Sequence, residues 1–374
     1  MQYHKRKENI LLVTKEPLAG ANLSTIFRLL IQNKFHISFS YLPRILYSIF
    51  LSSMLLPFRR KEHKTYNKTI KEYEVKHHPL FLLGHWRSGT TFLHNVLSKD
   101  NQFGFLSTFD AYLPGVFLSC ESFLKPLVAM SIPSKRPMDN VAMNADFPQE
   151  DEYALGGSCV YSYYHGWCFP RNMGLYNQYV LFDRLSAKTK NDFKNHYSYL
   201  IKKASIKTGG KRLLLKNPSN TARIKILLDL FPDAKFIHIQ RNPYHQYLSM
   251  MRFMKMVIPL YCVQTPPAFK EVEDLMMELY VQMYTKYFNE RKLIPKGNLI
   301  EIRYEDFIVD PFLEINNIYV KLGLLGFEGA ERSFKAYILS QSEIKTADYE
   351  ISKEIRDKVY NKWKFIFEKF GYDY

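Results

Sequence analysis

Apolar residues in this chain come in short runs, and each run ends abruptly at a glycine or at a pair of polar residues. Pro79-Leu80-Phe81-Leu82-Leu83 leads into Gly84, and Arg212-Leu213-Leu214-Leu215 leads into Lys216-Asn217-Pro218. Phe236-Ile237-His238-Ile239 leads into Gln240-Arg241-Asn242-Pro243, and Leu299-Ile300-Glu301-Ile302 into Arg303-Tyr304-Glu305-Asp306. Runs of this length predict strands buried in a parallel sheet. Helical spacing separates them. It begins at Phe92-Leu93-His94-Asn95-Val96-Leu97 and recurs over residues 183–207. Ser219 is a suitable N-cap for a helix reaching Phe231, and Pro243 suits the first turn of another that carries Ser249 on its second turn. Two more helices are expected over residues 311–322 and 352–370. Strands that alternate with helices predict an α/β fold, a three-layer sandwich with a central parallel sheet and helices on both faces.

The flanking regions follow other patterns. Residues 1–75 predict a helical lead-in packed on the core, and residues 76–374 the main domain. Residues 106–175 are aromatic and marked by prolines, with no clean period; they predict loops and short helices over a site. The one long apolar run near the start, ILYSIFLSSMLLPF over residues 45–58, is shorter than the roughly 20 residues a bilayer span needs. Arg44 precedes it and Arg59-Arg60-Lys61 follow. It fits a helix packed on the domain, the commoner use of this length, or an interfacial helix touching a membrane through residues 45–61. The opening MQYHKRKENI lacks a signal peptide's apolar core and cleavage site, so a cytoplasmic location is expected.

Composition narrows the partners. The chain has 374 residues and a formal net charge of +16, which favours anionic partners. It has no recognition-helix, zinc-finger or RNP-type signature, so no nucleic acid is expected. Its four cysteines form no C-x-x-C pair and no metal-binding spacing, which predicts free thiols and no metal site.

The chemistry concentrates in GHWRSGTT, Gly84 to Thr91. A glycine-bearing strand-to-helix turn gathers backbone N–H groups at a helix N-terminus and makes a phosphate cradle. Gly84, Gly89 and Thr91 match the triphosphate-binding pattern G-x-x-x-x-G-K-[ST], so the loop is P-loop-like. Thr90 stands where that pattern has lysine, and the nearby cation is Arg87 instead. Lys216 and Arg241 also follow strands directly. Three cations at strand ends describe a site for a multiply charged anion, since ligands of such sheets bind past the carboxyl ends of strands.

These residues resemble the sulfotransferases that use 3′-phosphoadenosine-5′-phosphosulfate (PAPS). Arg87-Ser88-Gly89-Thr90-Thr91 matches the first family loop, [KR]-S-G-T-T. Arg241 and Ser249, eight residues apart, match the family's second element. Lys216-Asn217-Pro218 and Leu230-Phe231-Pro232-Asp233-Ala234-Lys235-Phe236 resemble stretches of protein-tyrosine sulfotransferases. Arg136-Pro137-Met138-Asp139-Asn140 and Phe147-Pro148-Gln149-Glu150-Asp151-Glu152-Tyr153 look like a broad group of bacterial sulfotransferases. The similarity runs from about residue 40 to the C-terminus.

The resemblance implies PAPS as co-substrate and the 3′,5′-bisphosphate (PAP) as product. It implies Arg87 at the bridge and sulfuryl oxygens, with Ser88 and Gly89 in the loop and Lys216 sharing the load. Thr90 and Thr91 would hold the 5′-phosphate, Arg241 and Ser249 the 3′-phosphate, and Tyr304 would lie near the adenosine. A sulfuryl group carries less charge than a terminal phosphoryl, so metal-independent transfer is expected, with the phosphoryl template as the nearest analogue. The glutamate that tyrosine sulfotransferases carry about twenty residues past the loop arginine is missing here, where Phe105 to Asp110 stand. Glu150, Glu152 and His85 are the candidate general bases, and His165 could face the acceptor. Trp167, Phe169, Phe253, Met254 and Met256 suggest an apolar acceptor alcohol such as a sterol or lipid, although the same residues would serve as core; a carbohydrate or other small hydroxyl is the alternative. A nucleotide kinase is disfavoured by Thr90, and a basic membrane-surface module would use residues 45–61. The oligomeric state is left open.

Overall fold

The computed structural model describes residue 3 and residues 16–136, 141–341 and 351–374. Residues 137–140 of the bacterial-type segment, and most of the N-terminal ten, lie outside the described residues. The chain forms two units. One comprises Lys76–Phe105, Gly210–Met251 and Met277–Tyr374; the other comprises Met1–Val75, Leu106–Gly209 and Arg252–Met276.

The first unit holds the sheet. Among the described residues it has five parallel strands: β1 (Leu80–Leu83), β2 (Phe103–Gly104), β3 (Arg212–Lys216), β4 (Lys235–Gln240) and β5 (Leu299–Arg303). Their spatial order is β2-β3-β1-β4-β5. The four strands expected from apolar runs are present; β2 is two residues long and has no run to announce it. Because successive side chains point to opposite faces, each strand feeds two cores. Leu80 and Leu82 meet Leu93, Val96 and Leu97 of the Thr90–Leu97 helix and Ile315 and Ile318 of the Pro311–Leu322 helix. Phe81 faces the other way and stacks on Phe236 at 5.6 Å. On that face His238 stacks on Tyr287 at 4.2 Å, and Tyr284 meets Phe370 of the Lys353–Phe370 helix at 5.1 Å. Helices therefore cover both faces, giving the P-loop-like three-layer arrangement. β1, first in the chain, sits at the centre. The chain lays β2 and β3 on one side of it, then crosses to lay β4 and β5 on the other. That reversal opens a crevice at the carboxyl end of β1.

The second unit is helical in its described elements. The apolar run of residues 45–58 divides into two helices, Leu42–Met54 and Leu56–Glu72, with a 45° bend between Phe39–Met54 and the second. Pro57, in the first turn of the second helix, cannot donate a backbone hydrogen bond and crowds the carbonyl four residues back. No single described helix is long and apolar enough to cross a membrane. The Leu42–Met54 helix packs through Arg44, Ile45, Ser48 and Ser52. Arg44 donates to the carbonyls of Cys262 (2.7 Å) and Pro259 (3.1 Å), and Ser52 Oγ donates to Ala21 O at 2.7 Å. One helix on, Glu62 pairs with Lys203 and accepts from the N–H groups of Leu118 and Ser119 at 2.8 and 2.9 Å. The four cysteines are buried, and none is in a disulfide among the described residues.

Candidate active site

The loop from Gly84 to Thr91 leaves the end of β1 and turns into the Thr90–Leu97 helix. Its shape demands glycine twice. Gly84 has φ +142°, and a Cβ there would lie 2.6 Å from Ile239 O and Ser88 Oγ. Gly89 has φ +99°, and a Cβ there would meet the Tyr304 ring at 2.4 Å. Arg87 adopts φ +72°, a left-handed conformation that is costly for a side-chain-bearing residue and persists only when its surroundings impose it.

The surroundings that impose it are hydrogen bonds to the loop carbonyls. Gln246 Nε2 donates to Trp86 O at 3.2 Å, and Arg241 Nη1 donates to Arg87 O at 3.1 Å. Ser88 N donates to His85 O at 3.2 Å, and Gly84 N to Thr221 Oγ1 at 2.8 Å. Tyr280 OH donates to Gln246 Oε1 at 3.1 Å and holds that amide in place. With the carbonyls tied back, the N–H groups of Thr90 and Thr91 at the start of the helix, ahead of the first N–H donors to Gly89 O (Phe92 and Leu93), present positive partial charge to the crevice.

The sheet unit gathers the predicted cations around this loop. Arg87 Nε donates to Ser249 Oγ at 3.1 Å. Lys216, 1% exposed at the end of β3, donates to Thr91 Oγ1 at 3.4 Å. Arg241, at the end of β4, lies over the Tyr304 ring at 4.3 Å. Ser88 is fully buried and its Oγ has no hydrogen-bond partner among the described residues. Thr90 is buried beside Gly84. Arg87, Ser88, Gly89, Thr90, Thr91, Lys216, Arg241, Ser249 and Tyr304 thus belong to one cluster within one unit. The arrangement can grip an anion with guanidinium, ammonium, hydroxyl and backbone N–H groups together.

Sequence reasoning missed the braces. Gln246 and Thr221 fix the loop, and Glu305 fixes its neighbour by accepting from Asn242 N and Tyr372 OH, both at 2.8 Å. Only the placement of Thr221 just after Lys216-Asn217-Pro218, and of Gln246 five residues past Arg241, could have drawn attention to them.

The candidate bases differ in setting. His85 is buried between Trp86 and Tyr280, with ring centroids at 5.0 and 4.7 Å. Its Nδ1 donates to Trp86 O at 3.1 Å, so Nε2 carries the lone pair, and that atom has no partner among the described residues. Burial pushes its pKa down to about 3. In the helical unit, Glu152 Oε1 accepts from Ser162 Oγ at 3.0 Å and Tyr163 N at 2.8 Å. Glu150, at the N-cap of the Asp151–Ser158 helix, accepts from Tyr164 OH. Tyr164 stacks on Trp167 at 4.0 Å and meets Tyr153 at 4.7 Å, so the carboxylate borders an aromatic cluster. His165 bonds Gly156 O through Nε2 at 3.0 Å and is buried. Trp167, Phe169 and Met254 are buried; Phe253 and Met256 are half-buried.

The sheet unit's buried histidines set a pH dependence. Burial lowers His85 and His94 to about 3 and His238 to about 4, with the Lys216 charge adding to the effect on His94. The unfolded chain, with histidines near 6.5, binds more protons than the folded one between those values. Stability therefore falls as the pH drops below about 6.5, by up to about 1.4 kcal/mol per pH unit per histidine. Glu16 of the helical unit, pushed up to about 8 by burial, acts in the opposite sense and offsets about one of the three. Urea midpoints are expected to be lower at pH 5 than at pH 7.5; equal midpoints would contradict the buried neutral histidines.

A five-strand P-loop-like sheet whose loop has Thr90 where the triphosphate pattern has lysine, with Arg87 as its cation, makes a site for an anionic ligand. Comparison with known proteins identifies the family. The Sulfotransferase family model matches residues 79–328, and the chain belongs to that family. The chain is a sulfotransferase. It is 31% identical over 354 residues to the omega-hydroxy-beta-dihydromenaquinone-9 sulfotransferase Stf3 of Mycobacterium bovis and of Mycobacterium tuberculosis, covering 95% of this chain and 90% of each relative. Its fold is also that of sulfotransferase STF9 from Mycobacterium avium, with TM-score 0.66, 17% identity, and 84% and 82% of the two chains covered. Sulfotransferase STF1 from Mycobacterium tuberculosis follows with TM-score 0.57, 17% identity and 90% of both chains covered.

Proposed function

We propose that this enzyme transfers the sulfuryl group of PAPS to the hydroxyl of an apolar, lipid-like alcohol. The observation that carries the donor assignment is the meeting of Arg87, Lys216, Arg241 and Ser249 around one loop. The site suits a donor with two separate anionic ends: a glycine cradle with Arg87, Thr90, Thr91 and Lys216 for the phosphosulfate, and Arg241 with Ser249 for a 3′-phosphate. Tyr304, beneath the Arg241 guanidinium, offers a ring face toward the base.

Transfer from PAPS passes through a loose, in-line transition state in which the bridge oxygen to the 5′-phosphate gains charge. Arg87 and Lys216 stabilise that oxygen, together with the loop N–H groups. Arg87 acts as a clamp rather than a proton donor, since a guanidinium keeps its protons. Glu150 takes the proton from the acceptor hydroxyl. Glu150 is the more exposed residue of the pair, at 9% against 0% for Glu152, whose Oε1 already holds two donors. Glu150→Gln is expected to lower kcat about 100-fold with PAP affinity unchanged; full turnover in that variant would remove Glu150 from the role.

Ser249→Ala is expected to weaken PAP binding about tenfold, the cost of one hydrogen bond to a charged group, measured by calorimetry. The lipid-like acceptor draws on the relative that bears a menaquinone in its name, and on the aromatic cluster beside Glu150. An acceptor panel tests it. Isoprenoid and long-chain alcohols should take up sulfate with one PAP released per ester, and sugars should not; transfer to sugars alone would overturn the acceptor reading.

A further inference from the structure

The Leu42–Met54 helix is turned inside out. It buries Arg44, Ser48 and Ser52 against its own unit and directs Leu42, Leu46, Phe50 and Met54 outward. Those four stand four residues apart, so they form one continuous stripe along the helix. Phe50 is 60% exposed, and Phe39, just ahead of the stripe, is 89% exposed. On the preceding helix, Leu23–Gln32, Phe27 and Ile31 are exposed at the same spacing. Past the bend, Phe58 meets Phe123 at 6.3 Å, and Phe123 heads a second exposed row with Leu127 and Met130 on the Glu121–Ser131 helix. Exposed apolar residues scattered singly are ordinary, but rows of this length mark a surface that something covers.

The charge around the rows says what covers them. From Pro17 to Lys71 the only carboxylate is Glu62, and it is buried against Lys203. The exposed charges of that segment are all cationic, among them Arg28, Lys34, Arg60, Lys61, Lys64 and Lys68. An apolar stripe bordered by cations and free of exposed acid complements an anionic bilayer, where side chains enter the acyl boundary and cations meet lipid phosphates. The helix cannot instead cross the bilayer. Its 13 residues reach about 20 Å against a hydrocarbon core of about 30 Å, and Arg44 is held by two backbone carbonyls of the same unit.

We propose that this face docks the enzyme peripherally on an anionic lipid surface, with Leu46 and Phe50 inserted and the Leu56–Glu72 cations on the headgroups. It does not depend on the identity of the donor or acceptor.

The test is flotation of the full chain with phosphatidylcholine vesicles, with and without phosphatidylglycerol. Binding is expected to be at least about tenfold stronger to the anionic vesicles and to weaken as salt rises. The double variant Leu46→Ser/Phe50→Ser should lose about tenfold or more of that binding, with its thermal melt unchanged, because it removes inserted apolar surface. Lys61→Glu/Lys64→Glu, which leaves the stripe intact, should lose the preference for anionic lipid and serves if the serine variant does not fold. Absence of vesicle binding, or equal binding by wild type and both variants, would overturn the proposal. So would a concentration-dependent dimer that the serine variant dissociates, which would assign the face to a second copy of the chain.

Discussion

Arg87→Ala is expected to reduce kcat by about 1,000-fold, the upper range for removing one preorganised donor from a developing oxyanion. The effect should exceed that of an ordinary lost contact for two reasons. In the proposed reading Arg87 brings a full charge to the atom that gains charge, and it stands within the phosphate-cradling loop itself, at φ +72°. The variant also frees Ser249 Oγ from its hydrogen bond with Arg87 Nε. PAP, which lacks the sulfuryl group, should therefore bind within a few-fold of wild type while turnover collapses. Loss of both in equal measure would make Arg87 a binding residue only. Arg87→Lys keeps the charge but loses the fork geometry, and is expected to recover part of the activity.

Lys216→Ala should be nearly as severe, at about 100-fold in kcat. Lys216 ends β3 in register with Leu82 of β1, so the sheet itself sets how far its ammonium reaches toward Thr91. At 1% exposure, little water can replace it, and a smaller side chain leaves the bridge oxygen without that charge. Single-turnover kinetics at saturating PAPS separate this from weaker binding. An unchanged chemical step would show that Lys216 serves the loop's shape rather than the transition state.

The parts of the fold that were legible in the sequence are those where burial leaves a mark on composition. β1, β3 and β4 are buried almost throughout, so each needs a largely apolar run, and the chain supplies it; β5, at the sheet edge, buries only Ile302 and carries the exposed Glu301 within its run. β2 has two residues and leaves no such mark. The grouping of Leu106–Gly209 with Met1–Val75 rests on contacts between distant segments, such as Lys203 with Glu62, which no local pattern encodes. The run at residues 45–58 shows the opposite failure. Its hydrophobicity was plain, but period alone does not tell which face looks inward, and here the arginine and serines do. Pro57 was the available sign of the bend.

The candidate site was legible where spacing has a chemical reason. Gly84 and Gly89 are needed for close approach and positive φ, and a cation after each of three strands needs only the sheet to bring it to the same edge. The contact between Arg87 and Ser249 was not legible, because a spacing of eight from Arg241 places Ser249 on a helix without saying which guanidinium it meets. Nor were the braces, since a glutamine on a helix and a threonine in a 3-10 turn look generic until the carbonyls they tether are in place.

Calorimetric titration of the enzyme tests most directly whether the donor is held at two ends. PAP is expected to bind more tightly than adenosine 5′-monophosphate by tenfold or more, about 1.4 kcal/mol, and Ser249→Ala should narrow the gap. Mg²⁺-ATP should bind more weakly than PAP. Tighter binding of Mg²⁺-ATP than of PAP, or equal binding of PAP and the monophosphate, would contradict a donor held at two ends.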